Sequence, residues 1–90
     1  MAASQAAIRA AEEVGAAQDP QAALHLKLAH EQFDKAKSMM DAESNEQALR
    51  LLLRSQADAE VARAFAKRVA STLAAEEAEK QIQKLKGGTK

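Results

Sequence analysis

The sequence contains no cysteine, tryptophan or tyrosine, and it has one proline and three glycines among 90 residues. Without cysteine, the chain can form neither a disulfide nor a thiolate metal site. Its two phenylalanines, Phe33 and Phe65, are the only residues of the Phe, Trp and Tyr class. The scarcity of proline, glycine and β-branched residues favours long helices over strands.

No excess of charge of either sign is present, because 13 basic residues balance 13 acidic ones. Nucleic-acid-binding proteins normally carry a strong basic excess, so the balance argues against a nucleic-acid partner. It argues equally against a polybasic membrane-surface segment. No apolar run approaches the roughly 20 residues of a membrane-spanning helix, so no membrane insertion of this chain is expected.

Alanine is the most prominent component of the sequence. Hydrophobic residues make up 47% of the chain, and most of them are alanine. Alanine is the strongest helix former, but it buries little apolar area. A chain of this length supports at most one domain. Residues 1–90 are therefore predicted to form a single all-α domain with a thin core.

Helix signals divide the chain into three segments, predicted over residues 3–17, 20–42 and 45–86. Asp19 followed by Pro20 is a strong start signal, because the carboxylate accepts free backbone N–H groups and proline has none to satisfy. Ser44 interrupts the pattern before the third helix. Gly87 and Gly88 are expected to end it, leaving Thr89 and Lys90 frayed.

Apolar residues in the second and third helices follow the alternating spacing of three and four that is typical of helix–helix seams. In the second helix the predicted stripe contains Ala22, Leu26, Ala29, Phe33, Ala36 and Met40, widened by Leu24, Leu28 and Met39. In the third helix the predicted inward face contains Ala48, Leu51, Leu52, Ser55, Ala59, Ala62, Phe65, Val69 and Leu73. The two helices are therefore expected to pair as an antiparallel hairpin. The first helix either packs on this hairpin, completing a three-helix bundle, or swaps onto a neighbouring copy.

The lengths of these helices differ. At a rise of 1.5 Å per residue, the second helix spans roughly 33 Å and the third roughly 60 Å. Residues 68–86 are therefore predicted to project beyond the bundle, with Leu73, Ile82 and Leu85 on one side. A projecting apolar side is rarely left bare. We expect self-association there, with Leu73, Ala78, Ile82 and Leu85 as the candidate interaction surface.

No pattern in the sequence indicates catalysis, a metal or a cofactor. His25 and His30 are five residues apart, so they point to different sides of a helix and are expected to be exposed or flanking residues rather than metal ligands. The acidic groups Glu12–Glu13 and Glu76–Glu79 are interpreted as solvated faces. Asp58 lies beside the inward face, where it either bonds Ser55, accepts from a basic residue across the interface, or contacts water.

A mild basic strip lies on the third helix. No aromatic residue interleaves with these cations, and acidic residues mix with them, so a solvated face is favoured over RNA or phosphate binding. The strip consists of Arg50, Arg54, Arg63, Lys67 and Arg68.

The order of these features resembles a known family. The features in question are the alanine-rich helix around Ile8, Gly15-Ala16-Ala17, Asp19-Pro20, Leu24, Ala29, Phe33 and Ala36, then Ala48, Leu52, Ala57-Asp58-Ala59 and Ala62. Over about residues 5–75, the chain resembles the alanine-rich helical domain of unknown function found in bacterial envelope lipoproteins. That domain often precedes an OmpA-like peptidoglycan-binding domain. The resemblance implies a periplasmic, membrane-tethered scaffold or spacer and supplies no catalytic residues.

Together, these observations predict a non-enzymatic structural or protein-interaction domain of a bacterial envelope protein. The alternative is a regulatory helical module that takes an amphipathic peptide or helix into a groove. An enzyme is the third possibility, and it would require converging carboxylates or histidines in a deep pocket.

Overall fold

Helices dominate the chain, as a computed structural model that describes residues 1–88 shows. The helices are α1 (Ala2–Glu13), α2 (Pro20–Asp41) and α3 (Asn45–Gly88), with a 3₁₀ turn at Ala16–Gln18 between the first two. The described residues contain no strand. The all-α prediction is therefore confirmed. α3 includes Gly87 and Gly88, which were expected to end it after residue 86. The predicted fraying of Thr89 and Lys90 lies outside the described residues.

The corner between α1 and α2 is made by a left-handed glycine. Gly15 has φ 82° and ψ 27°, a conformation that glycine adopts without the steric cost of a Cβ. α1 consequently ends at Glu13 rather than near residue 17. α2 begins as expected, because the Asp19 side chain accepts the backbone N–H of Ala22 at 2.8 Å and Pro20 occupies the first helical position.

The turn between α2 and α3 uses a left-handed residue that is not glycine. Glu43 has φ 62°. The N–H of Ser44 bonds the carbonyl of Met39 at 2.8 Å, and that of Glu43 bonds Met40 at 3.0 Å. This pair of bonds is the Schellman arrangement, which satisfies carbonyls at the end of a helix. The chain thus reverses within three residues, and α3 runs back along α2.

Small residues line the seam where α2 and α3 meet. The buried positions of α2 are Ala22, Leu26, Ala29 and Ala36, and those of α3 are Ala48, Leu52, Ser55, Ala59, Ala62 and Ala66. Their spacing alternates between three and four, which keeps one face of each helix towards its partner. The α3 seam therefore includes Ala66, a position that the sequence analysis did not assign.

Four predicted core positions are instead exposed. Leu24 and Met40 of α2 are 58% and 40% exposed, and Val69 and Leu73 of α3 are 39% and 60% exposed. Leu24 and Met40 lie outside the row that contacts α3. Val69 and Leu73 continue the α3 row, but α2 begins at Pro20 and does not reach far enough to cover them.

The third helix extends well past the bundle. Its last buried residue is Ala66, and residues 67–87 are all exposed. The molecule accordingly measures 72 × 19 × 14 Å along its principal axes. The predicted projection is confirmed, and residues 67–88 of α3 are called the projecting segment below.

Candidate functional site

Two buried serines join the helices through their hydroxyl groups. Ser4 Oγ of α1 donates to the backbone carbonyl of Leu52 at 2.7 Å, and Ser55 Oγ of α3 donates to that of Ala29, also at 2.7 Å. Both serines are buried, at 2% and 0% exposure. Each hydroxyl therefore helps to join two helices, and its burial leaves it inaccessible as a nucleophile. Ser55 was expected on the inward face, whereas Ser4 was not expected there.

A polar contact across the bundle involves Asp58. Nδ1 of His25 lies 3.1 Å from Oδ1 of Asp58, and since a carboxylate only accepts, the imidazole is the donor. The His25 ring stacks on Phe65 with a centroid separation of 5.7 Å. Of the three partners considered for Asp58, the structure therefore shows the one across the interface, which is His25. Ser55 is not its partner, because the Ser55 hydroxyl donates to the carbonyl of Ala29.

The second histidine points to the other neighbouring helix. Nε2 of His30 lies 4.0 Å from Oε1 of Glu12, and both side chains are about half exposed. His25 thus contacts α3 while His30 contacts α1, in line with their spacing of five residues. Among residues 1–88, no group of three or more histidine, aspartate or glutamate side chains is placed to hold a metal ion.

The charged groups singled out in the sequence lie on exposed faces. Glu12 and Glu13 are exposed, as are the three glutamates at residues 76, 77 and 79. The basic strip is exposed too, at Arg50, Arg54, Arg63, Lys67 and Arg68. Nothing in the described part of the chain draws these charges towards a common enclosed point, so the bundle itself offers no converging polar site.

The point where α3 leaves the bundle is flanked by two open depressions. One, of about 290 Å³, is lined by Val14, Gly15 and Asp19 together with Val69 and Leu73. The other, of about 360 Å³, is lined by Gln21, Phe65 and Thr72 and shares Val69 and Leu73. These two side chains therefore form the uncovered end of the seam.

The four predicted surface residues do not share one face of α3. Leu73 and Ile82 are nine residues apart, which at 100° per residue is about two and a half turns and so half a turn out of phase. Leu73 belongs to the end of the seam. Ala78, Ile82 and Leu85 lie on a different side, where their spacing of four and three keeps them together.

An apolar stripe runs along that second side of the projecting segment. Ile82 is 53% exposed and Leu85 is 71% exposed, which is unusual for large aliphatic side chains. Alanines continue the stripe towards the bundle. We call this set the distal stripe; it consists of Ala74, Ala75, Ala78, Ile82 and Leu85.

The charges of the projecting segment are separated along its length. An acidic block of Glu76, Glu77 and Glu79 precedes a basic block, and its members are exposed. The basic block consists of Lys80, Lys84 and Lys86. Residues 76–86 therefore change from acidic to basic along the helix axis, whereas Lys67 and Arg68 place two further cations next to the bundle.

A further exposed apolar row on α3 was missed from the sequence. Leu49, Leu53 and Val61 are 57%, 58% and 39% exposed. Leu49 and Leu85 are 36 residues apart, about ten full turns, so Leu49 lies on the same side as the distal stripe, with Leu53 about 40° and Val61 about 120° further round the helix. Counting helical phase beyond the first seam would have found it.

None of the helices within residues 1–88 combines the length and the apolar character that crossing a membrane requires.

Comparison with known proteins identifies the chain at the level of its family. No curated protein and no solved structure is significantly similar to it. A family model described as a domain of unknown function, DUF4398, matches residues 1–82. The match covers all of α1 and α2 and most of α3. The chain is therefore a member of the DUF4398 family of domains of unknown function.

Proposed function

We propose that the protein is a non-enzymatic helical domain whose projecting segment binds another helix, with a second copy of the chain as the partner. The observation that carries the proposal is the exposure of Ile82 and Leu85, at 53% and 71%, on a helix that no other element contacts there. Large exposed apolar side chains arranged in a stripe are typical of interaction surfaces.

The bundle supports a mechanical role more than a chemical one. Its buried hydroxyl groups, Ser4 and Ser55, are bonded to backbone carbonyls, and its seam is built from alanine. Such a seam brings α2 and α3 close together over the first half of α3, from Ala48 to Ala66. In this proposal the bundle anchors one end of α3 and leaves the other end available for contact.

The cellular setting that we propose is the bacterial envelope, with the domain acting there as a scaffold or spacer. Its support is the resemblance to envelope-lipoprotein domains and an elongated shape, 72 Å in its longest dimension. Fractionation of the native host tests this setting. Recovery of the protein with the periplasm or the envelope is expected, and recovery in the cytosolic fraction would contradict it.

Self-association is tested by sedimentation equilibrium of the 90-residue chain with a matched pair of variants. The unsubstituted chain is expected to dimerise at high micromolar concentration. Leu85→Asp places a charge in the distal stripe and should abolish the dimer. Leu24→Asp makes the same chemical change at an exposed leucine of α2, and it should leave the dimer intact.

Circular dichroism of both variants tests whether a loss of the dimer is caused by unfolding. Both leucines are exposed, so neither substitution should change the helical content. A strictly monomeric unsubstituted chain at high micromolar concentration would refute self-association. An equal loss of the dimer in both variants would exclude the distal stripe as the contact surface.

A further inference from the structure

We propose that the hairpin of α2 and α3 has a second register, four residues from the present one, and that the bundle slides between the two. The slide moves α2 by about 6 Å along α3, towards the projecting segment. Three features carry the inference: the order of large and small side chains along the seam, the bonds that cross it, and the exposed first turn of α3. The inference concerns the bundle alone and does not depend on the proposed self-association.

The present register places several small side chains against each other. Ser55 donates to the carbonyl of Ala29, so these two residues lie level on the antiparallel helices. Counting in opposite directions from that pair gives layers in which both members are small, while the large residues of the α2 seam lie level with positions beside the α3 seam. The small layers are Ala22–Ala62, Ala29–Ser55 and Ala36–Ala48, and the large residues are Leu26 and Phe33, level with Asp58 and Leu51.

A slide of four residues pairs the two rows more completely. Every residue of the α2 row then lies level with a residue of the α3 row, and most layers join a large side chain to a small one. Met40, which is 40% exposed, gains a position opposite Ala48. Alternation of large and small residues across facing positions lets the layers interdigitate. The layers after the slide are Ala22–Ala66, Leu26–Ala62, Ala29–Ala59, Phe33–Ser55, Ala36–Leu52 and Met40–Ala48.

The serine bonds between the helices survive such a slide. Ser55 and Ser4 both donate to backbone carbonyls, those of Ala29 and Leu52. Backbone carbonyls recur at every turn of a helix, so after the slide each hydroxyl meets another carbonyl about one turn along. These two bonds therefore hold the helices together without selecting a register.

The contact between His25 and Asp58 does select a register, because it joins two side chains. The slide breaks it and brings Asp58 near the level of Gln32, which lies seven residues beyond His25 on the same side of α2. Among the described residues, the side-chain oxygen of Gln32 is buried without a hydrogen-bond partner, which is a cost of the present register. After the slide, the amide nitrogen of Gln32 donates to Asp58.

The first turn of α3 supplies the chain length that the slide requires. Asn45, Glu46 and Gln47 are exposed, and Ala48 is the first buried residue of α3. Unwinding these three residues lengthens the connection from residues 42–44 to residues 42–47 and exposes no buried side chain. The longer connection also releases Glu43 from its φ of 62°, a left-handed conformation that is unfavourable for a residue with a Cβ.

The slide changes how much of α3 is free. Pro20, the first residue of α2, moves from the level of residue 64 to the level of residue 68, so that α2 covers one further turn of α3. Shifts of one element past another by a single turn are one form of switching transition in proteins. The position of α2 is therefore linked to the length of α3 that remains available for contact.

Spin-label distances measured by pulsed electron paramagnetic resonance test the slide. The chain has no cysteine, so labels attach only at Gln21→Cys and Gln83→Cys, both exposed positions. These positions lie about 30 Å apart along the axis in the present register and about 24 Å apart after the slide. A control pair, Gln56→Cys with Gln83→Cys, lies on α3 alone and keeps one distance in both registers. Dilution with excess unlabelled chain confines the measurement to single copies.

Two substitutions move the balance between the registers. Asp58→Ala removes the contact that selects the present register, and Gln47→Gly weakens the first turn of α3. Each should raise the ratio of the short to the long distance about fivefold, and both together roughly thirtyfold. Asp34→Ala is the matched control, because Asp34 is an exposed aspartate of α2, and it should leave the ratio unchanged.

The long distance is expected to dominate in the unsubstituted chain, and the short distance is expected to appear in the double variant. A single long distance in the double variant overturns the second register. A broad distribution in place of the short distance overturns it too, because that result reports fraying of α2. Circular dichroism checks that the double variant is folded. If it is not, Asp58→Ala alone carries the test, and absence of the short distance there overturns the proposal.

Discussion

Ser55 shows how a single small residue shapes this bundle. It occupies a seam whose neighbouring positions, Ala59 and Ala62, are fully buried alanines. Its hydroxyl reaches the carbonyl of Ala29 at 2.7 Å, across the interface between α2 and α3. A side chain of this size fits where two alanine-lined helices approach, and the hydrogen bond offsets the cost of burying its oxygen.

Replacing Ser55 by alanine is expected to reduce the free energy of unfolding by about 1 kcal/mol, since one buried hydrogen bond is lost and no cavity larger than a hydroxyl remains. Urea unfolding followed by circular dichroism measures the change. Ser71→Ala is the matched control, because Ser71 is exposed on the projecting segment and its loss should change stability little. Equal effects at the two serines would contradict the assigned role of the buried hydroxyl.

The contact between Asp58 and His25 could not be predicted from the periodicity of either helix alone. The sequence placed Asp58 beside the inward face of α3 and left three partners open for it. The structure selects His25, which lies 33 residues away in sequence. This choice depends on the register between α2 and α3, because a shift of one helical turn would present Asp58 to a different residue of α2. Periodicity within one helix carries no information about that register.

At the level of elements, the two turns use the same backbone conformation with different residues. Gly15 adopts a left-handed φ of 82° at the end of α1, and Glu43 adopts 62° at the end of α2. Glycine is favoured at such a position because it has no Cβ to clash with the neighbouring carbonyl. Gly15 therefore offered a signal for the end of α1, although the predicted bounds of residues 3–17 ran past it, whereas nothing in the second turn marked Glu43 as left-handed.

Substitutions at these two turns are expected to change stability in opposite directions. Glu43→Gly should raise the free energy of unfolding by about 0.5–1 kcal/mol, and Gly15→Ala should lower it by a similar amount. No atom lies within 4 Å of a Cβ added at Gly15, so the effect there comes from backbone conformation alone.

Thermal unfolding compares each turn variant with the unsubstituted chain. Glu43→Ala serves as the control for lost charge. Alanine, like glutamate, has a Cβ that disfavours the left-handed conformation, so this substitution should not raise the free energy of unfolding. Stabilisation by Glu43→Ala equal to that by Glu43→Gly would show that the charge of Glu43, and not its φ, is the destabilising factor.

For the whole molecule, the central property is the division of α3 into a packed half and an exposed half. The packed half ends at Ala66, and the remainder has no buried residue up to residue 87. Burial of apolar surface supplies most of the folding free energy, so the exposed half of an isolated chain contributes little of it. The packed half of α3 thus contributes to folding, and the projecting segment carries the proposed partner contact.

Removing residues 74–90 is therefore expected to leave the bundle folded. The free energy of unfolding should change by no more than about 0.5 kcal/mol, the usual range for changes away from the core. Self-association should disappear, because the distal stripe is removed. Urea unfolding and sedimentation equilibrium on the truncated chain measure the two effects. Cooperative unfolding lost on truncation would show that the projecting segment belongs to the folding unit.

The sequence by itself determined the number and order of the helices, the start of α2 at Pro20, the spacing of the seam and the projection of α3. These are local properties, set by caps, by helical periodicity and by the rise per residue, so they can be read without knowing what packs against what. The separation of Leu73 from Ile82 also required only a count of residues along a continuous helix.

Only the tertiary structure decided which atoms meet across helices. The contact of Ser4 with Leu52, that of His25 with Asp58 and the exposure of Met40 all depend on how far one helix slides and rotates against another. In an alanine-rich bundle that choice is weakly encoded, because alanine fits almost any register equally well. The few larger or polar residues must select one register, and their partners become visible only when the whole bundle is assembled.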